Sequence, residues 1–150
     1  MTPTPRKKVL WFDNDLDYLE PYVTELREAG HTVTTVGTLA DADRELSANQ
    51  FDLLILDVMI PTRSADEERL YPPTETDRGT STGLLYYNKW KAHLHTAGTK
   101  IFILTVRLDK NIRAAFIDAG VPKWAVARKL DLRTVDDFTC KINQIFGASA

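Results

Sequence analysis

Residues able to do chemistry stand at the ends of short apolar stretches of this sequence. In chain order they are Asp13, Asn14 and Asp15, then Asp57, Thr105 and Lys129. Short apolar runs bounded by turn residues are typical of strands buried on both faces, as in parallel sheets. The carboxyl ends of parallel strands share one edge, where open α/β sheets bind ligands. The sequence therefore predicts one pocket that combines carboxylates, a hydroxyl and an ammonium group. The simpler alternative for Asp57 is an aspartate that only caps the loop after its strand.

Such a pocket suits phosphoryl chemistry. Carboxylates that lie close together repel one another unless a cation lies among them, and ligands that are all oxygen suit Mg²⁺. A divalent cation, a lysine and a hydroxyl are what a phosphoryl group needs around it, because phosphoryl transfer depends mainly on positioning and charge neutralisation. A free carboxylate among them can act as the nucleophile and form an acyl phosphate.

The elements that must position these residues alternate along the chain. Apolar and β-branched stretches predict strands, and apolar residues recurring every three or four positions predict helices. The predicted strands are 9–12, 31–36, 51–57, 100–105 and 124–129, and the predicted helices are 16–29, 38–48, 83–94, 109–119 and 134 onwards. Five strands alternating with five helices predict a parallel sheet with helices on both faces and right-handed crossovers.

Residues 62–82 interrupt this alternation. They are polar, contain prolines and show no periodicity, and a loop of that length inside a compact domain is usually functional or disordered. The Tyr71-Pro72-Pro73 stretch favours an extended, polyproline-like path. We therefore expect a lid or a partner contact beside Asp57. Residues 1–7 are expected to be a disordered lead-in.

Composition excludes several classes of protein. The chain is 43% apolar and 27% charged, which is ordinary for a soluble globular domain, and its net charge of −2 gives no basic footprint for nucleic acid. The single Cys140 excludes an internal disulfide, and no His/Cys cluster has zinc spacing. No apolar run approaches the ~20 residues of a membrane span, and the N-terminus lacks the features of a signal peptide. We expect a cytoplasmic protein without membrane insertion.

Taken together, the motifs resemble a response-regulator receiver domain of the chemotaxis-regulator type. The resemblance covers residues 8–147 apart from the inserted loop at about 62–82. The segments that carry it are 9–15, 53–61, Thr82-Gly83, 102–105, 118–120 and Lys129. The resemblance implies a flavodoxin-like, doubly wound five-stranded parallel sheet in the order 2-1-3-4-5, with five helices.

The resemblance also assigns roles to residues. Asp57 would accept a phosphoryl group from the phosphohistidine of a histidine kinase or phosphotransfer protein. The ligands of Mg²⁺ would be Asp13, Asn14, Asp57 and the backbone carbonyl of Met59. The residues that contact the phosphoryl group would be Thr105, which moves on activation, and Lys129, which pairs with its charge. The residues flanking the site would be Asp15 and Arg107.

The sequence departs from the family pattern at two site positions. Asn14 replaces the second carboxylate of the family's acidic pair, so one negative charge is missing and we expect weaker Mg²⁺ binding, with Asp15 as a water-mediated substitute. The proline that usually follows the lysine is Leu130 here. Lys123 and Arg128 are rival candidates for the cation, although Arg128 should point away from Lys129 in a regular strand.

Three functions stay open. The first is a signalling receiver that catalyses its own phosphorylation without being a free-standing enzyme, and that switches a surface bound by an unknown downstream protein. Because the chain ends at Ala150, soon after the last predicted helix, we expect no output domain; the oligomeric state, monomer or homodimer, stays open. The second is a pseudo-receiver, a binding module that is not phosphorylated, which Asn14 favours. The third is a haloacid-dehalogenase-like phosphohydrolase with Asp13 as nucleophile and Asp15 as acid/base, which leaves Asp57 without a role.

Overall fold

A five-stranded parallel sheet forms the centre of the molecule, as the sequence predicts. The computed structural model describes residues 6–76, 81–106 and 108–147. The strands are β1 (Lys8–Phe12), β2 (Thr32–Val36), β3 (Leu53–Leu56), β4 (Lys100–Thr105) and β5 (Val126–Arg128). Their order is β2-β1-β3-β4-β5, and every neighbouring pair is parallel. The flavodoxin-like fold and its strand order are therefore confirmed.

Seven α-helices lie in the described part of the chain, two more than predicted. They are α1 (Leu16–Glu28), α2 (Leu39–Ala48), α3 (Ala65–Leu70), α4 (Pro73–Thr76), α5 (Thr82–Ala97), α6 (Lys110–Asp118) and α7 (Val135–Gly147). Two single-turn 3-10 helices, Lys123–Ala125 and Lys129–Asp131, flank β5. The extra helices, α3 and α4, both lie in the segment 62–82.

The expectation of an irregular segment at 62–82 is wrong for residues 65–70 and 73–76, which are helical, and the polyproline-like path expected for Tyr71-Pro72-Pro73 does not continue through Pro73. Ser64 begins α3 as its N-cap, and its hydroxyl accepts a hydrogen bond of 3.1 Å from the Glu67 N–H. Acidic residues fill the first turn of α3, where the helix dipole favours negative charge. Pro73 opens α4, a position where proline's missing N–H costs nothing. Tyr71, between the two helices, is buried.

The two faces of the sheet carry separate cores. Successive residues of a strand point to opposite faces, so Leu10 and Phe12 pack towards α2, α5 and α6, whereas Val9 and Trp11 pack towards α1 and α7. Trp11, for example, stacks on Phe138 of α7 with ring centroids 5.2 Å apart. Burial on both faces explains why the central strands are apolar without interruption.

Several predicted boundaries and one core assignment are wrong. The chain from Lys123 to Ala125 turns as a 3-10 helix after Pro122, so β5 begins only at Val126, which pairs with Ile103. The spacing of Leu16, Leu19, Val23 and Leu26 predicts that Leu16 lies on the buried stripe of α1, but Leu16 is 45% exposed. No helix in the described ranges is both long and apolar enough to cross a membrane.

Candidate functional site

The parallel ladder brings the predicted residues to one edge of the sheet. The Asp13 N–H donates to the Val36 carbonyl at 3.0 Å, and the Asp57 N–H donates to the Phe12 carbonyl at 2.9 Å, so both residues continue the strand pairing. Thr105 ends β4, and Lys129 follows β5 directly. Asp13 and Thr105 are fully buried, Asp57 is 4% exposed and Lys129 is 8% exposed. Buried polar groups need partners, and these residues supply them to one another.

Asp13 and Lys129 form a buried ion pair. The Lys129 Nζ lies 2.6 Å from Asp13 Oδ2, and Asp13 Oδ1 accepts a 2.8 Å hydrogen bond from the Asp15 N–H. The same Lys129 Nζ lies 4.4 Å from the ring centroid of Tyr18, within range of a cation–π interaction. Removing either member of this pair would leave an uncompensated buried charge, which is strongly destabilising.

Asp57 lies beside this ion pair with its own set of donors. Its Oδ1 accepts a 2.7 Å hydrogen bond from the Val58 N–H, and its carboxylate accepts from the Thr105 hydroxyl. Burial raises the pKa of Asp57 to about 6, and the negative charge of Asp13 adds to the rise, while Lys129 and the hydrogen bonds oppose it. At neutral pH the side chain is therefore mostly ionised, yet more basic than an ordinary aspartate.

The Asn14 side chain closes the open side of the Asp57 carboxylate. One terminal atom of its amide lies 3.3 Å from Asp57 Oδ2 and 3.3 Å from the Met59 carbonyl oxygen. Both neighbours accept hydrogen bonds, so the hydrogen-bond network assigns this atom as the amide nitrogen. Asn14 thus links the loop after β1 to the loop after β3.

The start of α5 packs directly against the backbone of Asp57. The Gly83 N–H donates to the Val58 carbonyl at 2.9 Å. A Cβ atom at position 83 would overlap the Asp57 carbonyl oxygen and lie 2.7 Å from Val58 Cα. Only glycine permits this close approach, which explains the Thr82-Gly83 motif.

Comparisons with known proteins agree on the fold. No family model matches the sequence, and no curated protein matches it. Among solved structures, a putative response regulator from Chloroflexus aurantiacus is 21% identical with a TM-score of 0.69, covering 96% of this chain and 100% of that chain. A CheY-like receiver domain protein from Methanospirillum hungatei is 19% identical with a TM-score of 0.65, covering 93% of each chain.

The response regulator DrrB of Thermotoga maritima, an OmpR/PhoB homologue, is also similar. It is 18% identical with a TM-score of 0.67, and the match covers 95% of this chain. This chain spans only 53% of that DrrB chain. The BeF₃-activated DrrB receiver domain alone matches with a TM-score of 0.69, and 100% of that chain is covered. The chain has the receiver-domain fold.

The candidate ligands for a hard divalent cation at this edge of the sheet are oxygen atoms. The candidates are the carboxylates of Asp13 and Asp57, the Met59 carbonyl and the Asn14 amide oxygen, and oxygen ligands of this kind suit Mg²⁺. The approach of one Asn14 atom to both Asp57 Oδ2 and the Met59 carbonyl shows that these groups converge on one point. In the described ranges no group of three or more His, Cys, Asp or Glu side chains could hold a metal ion. The donor types fit Mg²⁺, but with little negative charge.

The other residues that the sequence suggested for the site do not join the Asp13, Asp57, Thr105 and Lys129 cluster in the described part of the chain. The Asp15 carboxylate caps α1, accepting from the Tyr18 N–H at 3.3 Å, and is exposed. Arg128 is exposed and pairs with Asp131 at 3.0 Å. Lys123 is exposed in the 3-10 helix before β5. Arg107 lies outside the described residues.

Sequence reasoning missed Tyr18. It stands in the first turn of α1, five positions after Asp13, and its ring covers the Lys129 ammonium group. An aromatic residue in the helix that follows the acidic motif was the available signal. Also missed were three large apolar side chains exposed around this edge: Leu16 at 45%, Val106 at 68% and Leu130 at 59%.

Proposed function

We propose that this receiver-fold chain acts in two-component signalling by accepting a phosphoryl group on Asp57. The observation that supports the proposal best is the environment of the Asp57 carboxylate. It is nearly buried, accepts from the Thr105 hydroxyl and lies beside the Asp13–Lys129 ion pair. The likeness to receiver structures supports the same reading.

In the proposed reaction an Asp57 carboxylate oxygen attacks the phosphorus atom of a phosphohistidine. The new O–P bond forms an acyl phosphate as the P–N bond breaks, and the imidazole leaves with the electron pair and takes up a proton. Lys129 and Thr105 would stabilise negative charge on the phosphoryl oxygens, an electrostatic contribution that is usually large in such sites. Mg²⁺, held by Asp13, Asp57 and the Met59 carbonyl, would supply further charge neutralisation.

The phosphoryl donor would be a histidine kinase or a phosphotransfer protein, and the chain would act in the cytoplasm. The chain would catalyse its own phosphorylation and is not proposed to be a free-standing enzyme. Leu16, Val106 and Leu130 surround the site with exposed apolar surface, which is typical of a protein-docking patch.

A downstream protein would bind the face built from α6, β5 and α7. A surface cavity of about 560 Å³ lies there, lined by basic, acidic and aromatic side chains that include Arg113, Trp124 and Asp137. Because Thr105 at the end of β4 pairs in register with Arg128 of β5, a shift of Thr105 on phosphorylation would reach this face.

The test is chemical phosphorylation of the intact chain. Wild type, Asp57→Asn and the exposed control Asp136→Asn are incubated with acetyl phosphate and Mg²⁺ and analysed by intact mass. We expect the mass gain of one phosphoryl group in wild type and in Asp136→Asn, and none in Asp57→Asn. No mass gain in folded wild type, also after long incubation, would contradict the proposal.

A second candidate function is the unphosphorylated binding module. The observation that favours it is the hydrogen bonding of the Asn14 amide nitrogen, which donates to both Asp57 Oδ2 and the Met59 carbonyl oxygen. A folded wild type that takes up neither acetyl phosphate nor beryllofluoride at Asp57 would support this second function.

A further inference from the structure

Most oxygen atoms that could ligate a cation at this edge already have a partner in the protein. Asp13 Oδ1 accepts from the Asp15 N–H at 2.8 Å, and Asp13 Oδ2 is paired with Lys129 at 2.6 Å. Asp57 Oδ1 accepts from the Val58 N–H at 2.7 Å. The negative charge of Asp13, in particular, is matched by a buried ammonium group.

The two remaining ligand atoms share one partner. Asp57 Oδ2 and the Met59 carbonyl oxygen both lie 3.3 Å from the Asn14 amide nitrogen. The amide nitrogen carries two hydrogens, so it can donate to both acceptors at once. It therefore lies against two of the oxygen atoms that would hold a cation.

We propose that Asn14 is a reversible internal substitute for the cation, which closes the site with its amide nitrogen and ligates the cation only after the amide turns. A half-turn about the Cβ–Cγ bond replaces the nitrogen by the amide oxygen, which is a ligand for Mg²⁺. Asn14 is exposed, so this rotation disturbs no packing. The inference rests on the proposed function only in that the same site would serve phosphoryl transfer.

An aspartate at position 14 could not do the same. Its carboxylate has only acceptors, so it would repel Asp57 Oδ2 and the Met59 carbonyl unless a cation lay between them. Asparagine thus stabilises the cation-free site. It weakens cation binding in two ways: it lacks the negative charge of an aspartate, and its two hydrogen bonds must break before a cation can bind. The expected result is a site that is well ordered without Mg²⁺.

The first measurement follows the amide itself. In ¹⁵N-labelled wild type the Asn14 side-chain NH₂ resonances, identified by their loss in Asn14→Ala, should be shifted from those of free asparagine in EDTA. Adding Mg²⁺ should move them towards solvent-exposed values as the nitrogen turns outward. NH₂ resonances that already have solvent-exposed values in EDTA would overturn the proposal.

The second measurement compares variants by urea unfolding and by Mg²⁺ titration calorimetry. In EDTA both Asn14→Ala and Asn14→Asp should unfold at lower urea than wild type, with Asn14→Asp lower because it adds a charge beside Asp57. Asn14→Asp should bind Mg²⁺ about tenfold more tightly than wild type, since cation affinity follows ligand charge. Excess Mg²⁺ should therefore restore its stability but not that of Asn14→Ala.

The control is Asn143→Asp, an equal charge change at an exposed position near the end of α7. It should match wild type in both measurements. Unchanged stability of Asn14→Ala in EDTA, or equal Mg²⁺ affinity of wild type and Asn14→Asp, would overturn the inference. Neither measurement involves phosphorylation, so a failed acetyl phosphate experiment would remove the proposed function and leave this inference standing.

Discussion

Among individual residues, Tyr18 is expected to stabilise the fold by covering the Lys129 ammonium group. Its ring lies 4.4 Å from the Lys129 Nζ and packs on Tyr22 at 5.2 Å, so it shields the ion pair with Asp13 from water. A desolvated cation–π contact of this kind contributes about 1–2 kcal/mol. We expect Tyr18→Leu to lower the free energy of unfolding by about that amount and Tyr18→Phe, which keeps the ring, to lower it by less.

Urea denaturation of the two variants beside wild type measures this difference. The pair is matched because both variants lose the Tyr18 hydroxyl, and only Tyr18→Leu loses the ring. Equal stability of Tyr18→Leu and Tyr18→Phe would mean that the ring does not hold Lys129.

At the residue scale the sequence predicted which side chains meet, but not how they face. Asp13, Asp57, Thr105 and Lys129 could be brought together because strand ends of a parallel sheet share an edge, a consequence of topology alone. The direction of the Asn14 amide and the position of Tyr18 over Lys129 depend on side-chain torsions and on the rotation of α1 about its axis. No periodicity in the sequence encodes those angles.

At the element scale, the Asp43 carboxylate of α2 anchors the inserted segment to the rest of the domain. Asp43 Oδ1 accepts from the Tyr71 hydroxyl at 2.9 Å and from Trp90 Nε1 at 2.7 Å, and Lys89 Nζ lies 3.3 Å from Asp43 Oδ2. Tyr71 is 1% exposed and packs on Tyr86. Asp43 therefore joins α2, the insertion and α5.

Asp43→Ala should be strongly destabilising. It would leave the Tyr71 hydroxyl and the Trp90 N–H without their acceptor, and each such unsatisfied buried group costs about 1–3 kcal/mol. We expect a loss of about 2–4 kcal/mol in the free energy of unfolding by urea denaturation, with faster proteolysis within residues 62–76. The control Asp41→Ala removes a carboxylate two positions away that forms a surface ion pair with Arg44, and it should cost about 1 kcal/mol or less. Similar losses for both variants would argue against the anchoring role.

The insertion also shows where element prediction fails. Helices of six and four residues, as in α3 and α4, are too short for a periodic apolar pattern, and isolated helices of that length do not form in water. Their stability comes from the Ser64 cap and from burial of Tyr71 against α5. Longer elements such as α7, with Phe138, Ile142 and Ile145 buried on one side, were predicted because their period is visible.

For the whole molecule, the strand order follows from the connections. Parallel neighbours joined by right-handed helical crossovers leave few arrangements of five strands, and apolar runs such as Leu53–Leu56 must occupy the centre because they are buried on both faces. The segment 62–82 lengthens one crossover without altering the sheet. The fold was therefore predictable even where the insertion was not.

Stability of the whole molecule should depend on the charge of Asp57. Burial and the Asp13 charge raise its pKa to about 6 in the folded state, above the ordinary aspartate value of 3.8. The folded state thus binds the proton more tightly, and stability is lost as pH rises from 3.8 to about 6. We expect Asp57→Asn to be more stable than wild type at neutral pH, by a margin that shrinks towards pH 4. Urea unfolding at several pH values measures that margin, and a constant margin would contradict the shifted pKa.

The protonation of His31 should change the stability with pH in the opposite direction to that of Asp57. It is 5% exposed, and its Nδ1 accepts a 3.1 Å hydrogen bond from the Lys7 N–H, which requires the neutral ring. Burial, and then the charge of Lys7, lower the pKa of His31. The unfolded chain therefore binds the proton more tightly, and stability falls as pH drops below the unfolded value of about 6.5.

Replacing His31 by phenylalanine keeps a ring beside Phe146 but removes the titration. The stability advantage of wild type over His31→Phe should therefore decrease as pH falls below about 6.5, since only wild type is destabilised by the proton. Because the Asp57 and His31 contributions have opposite signs as pH changes, they partly offset each other in wild type. The two variants separate the contributions, and parallel pH profiles for wild type and His31→Phe would show that the buried ring does not titrate.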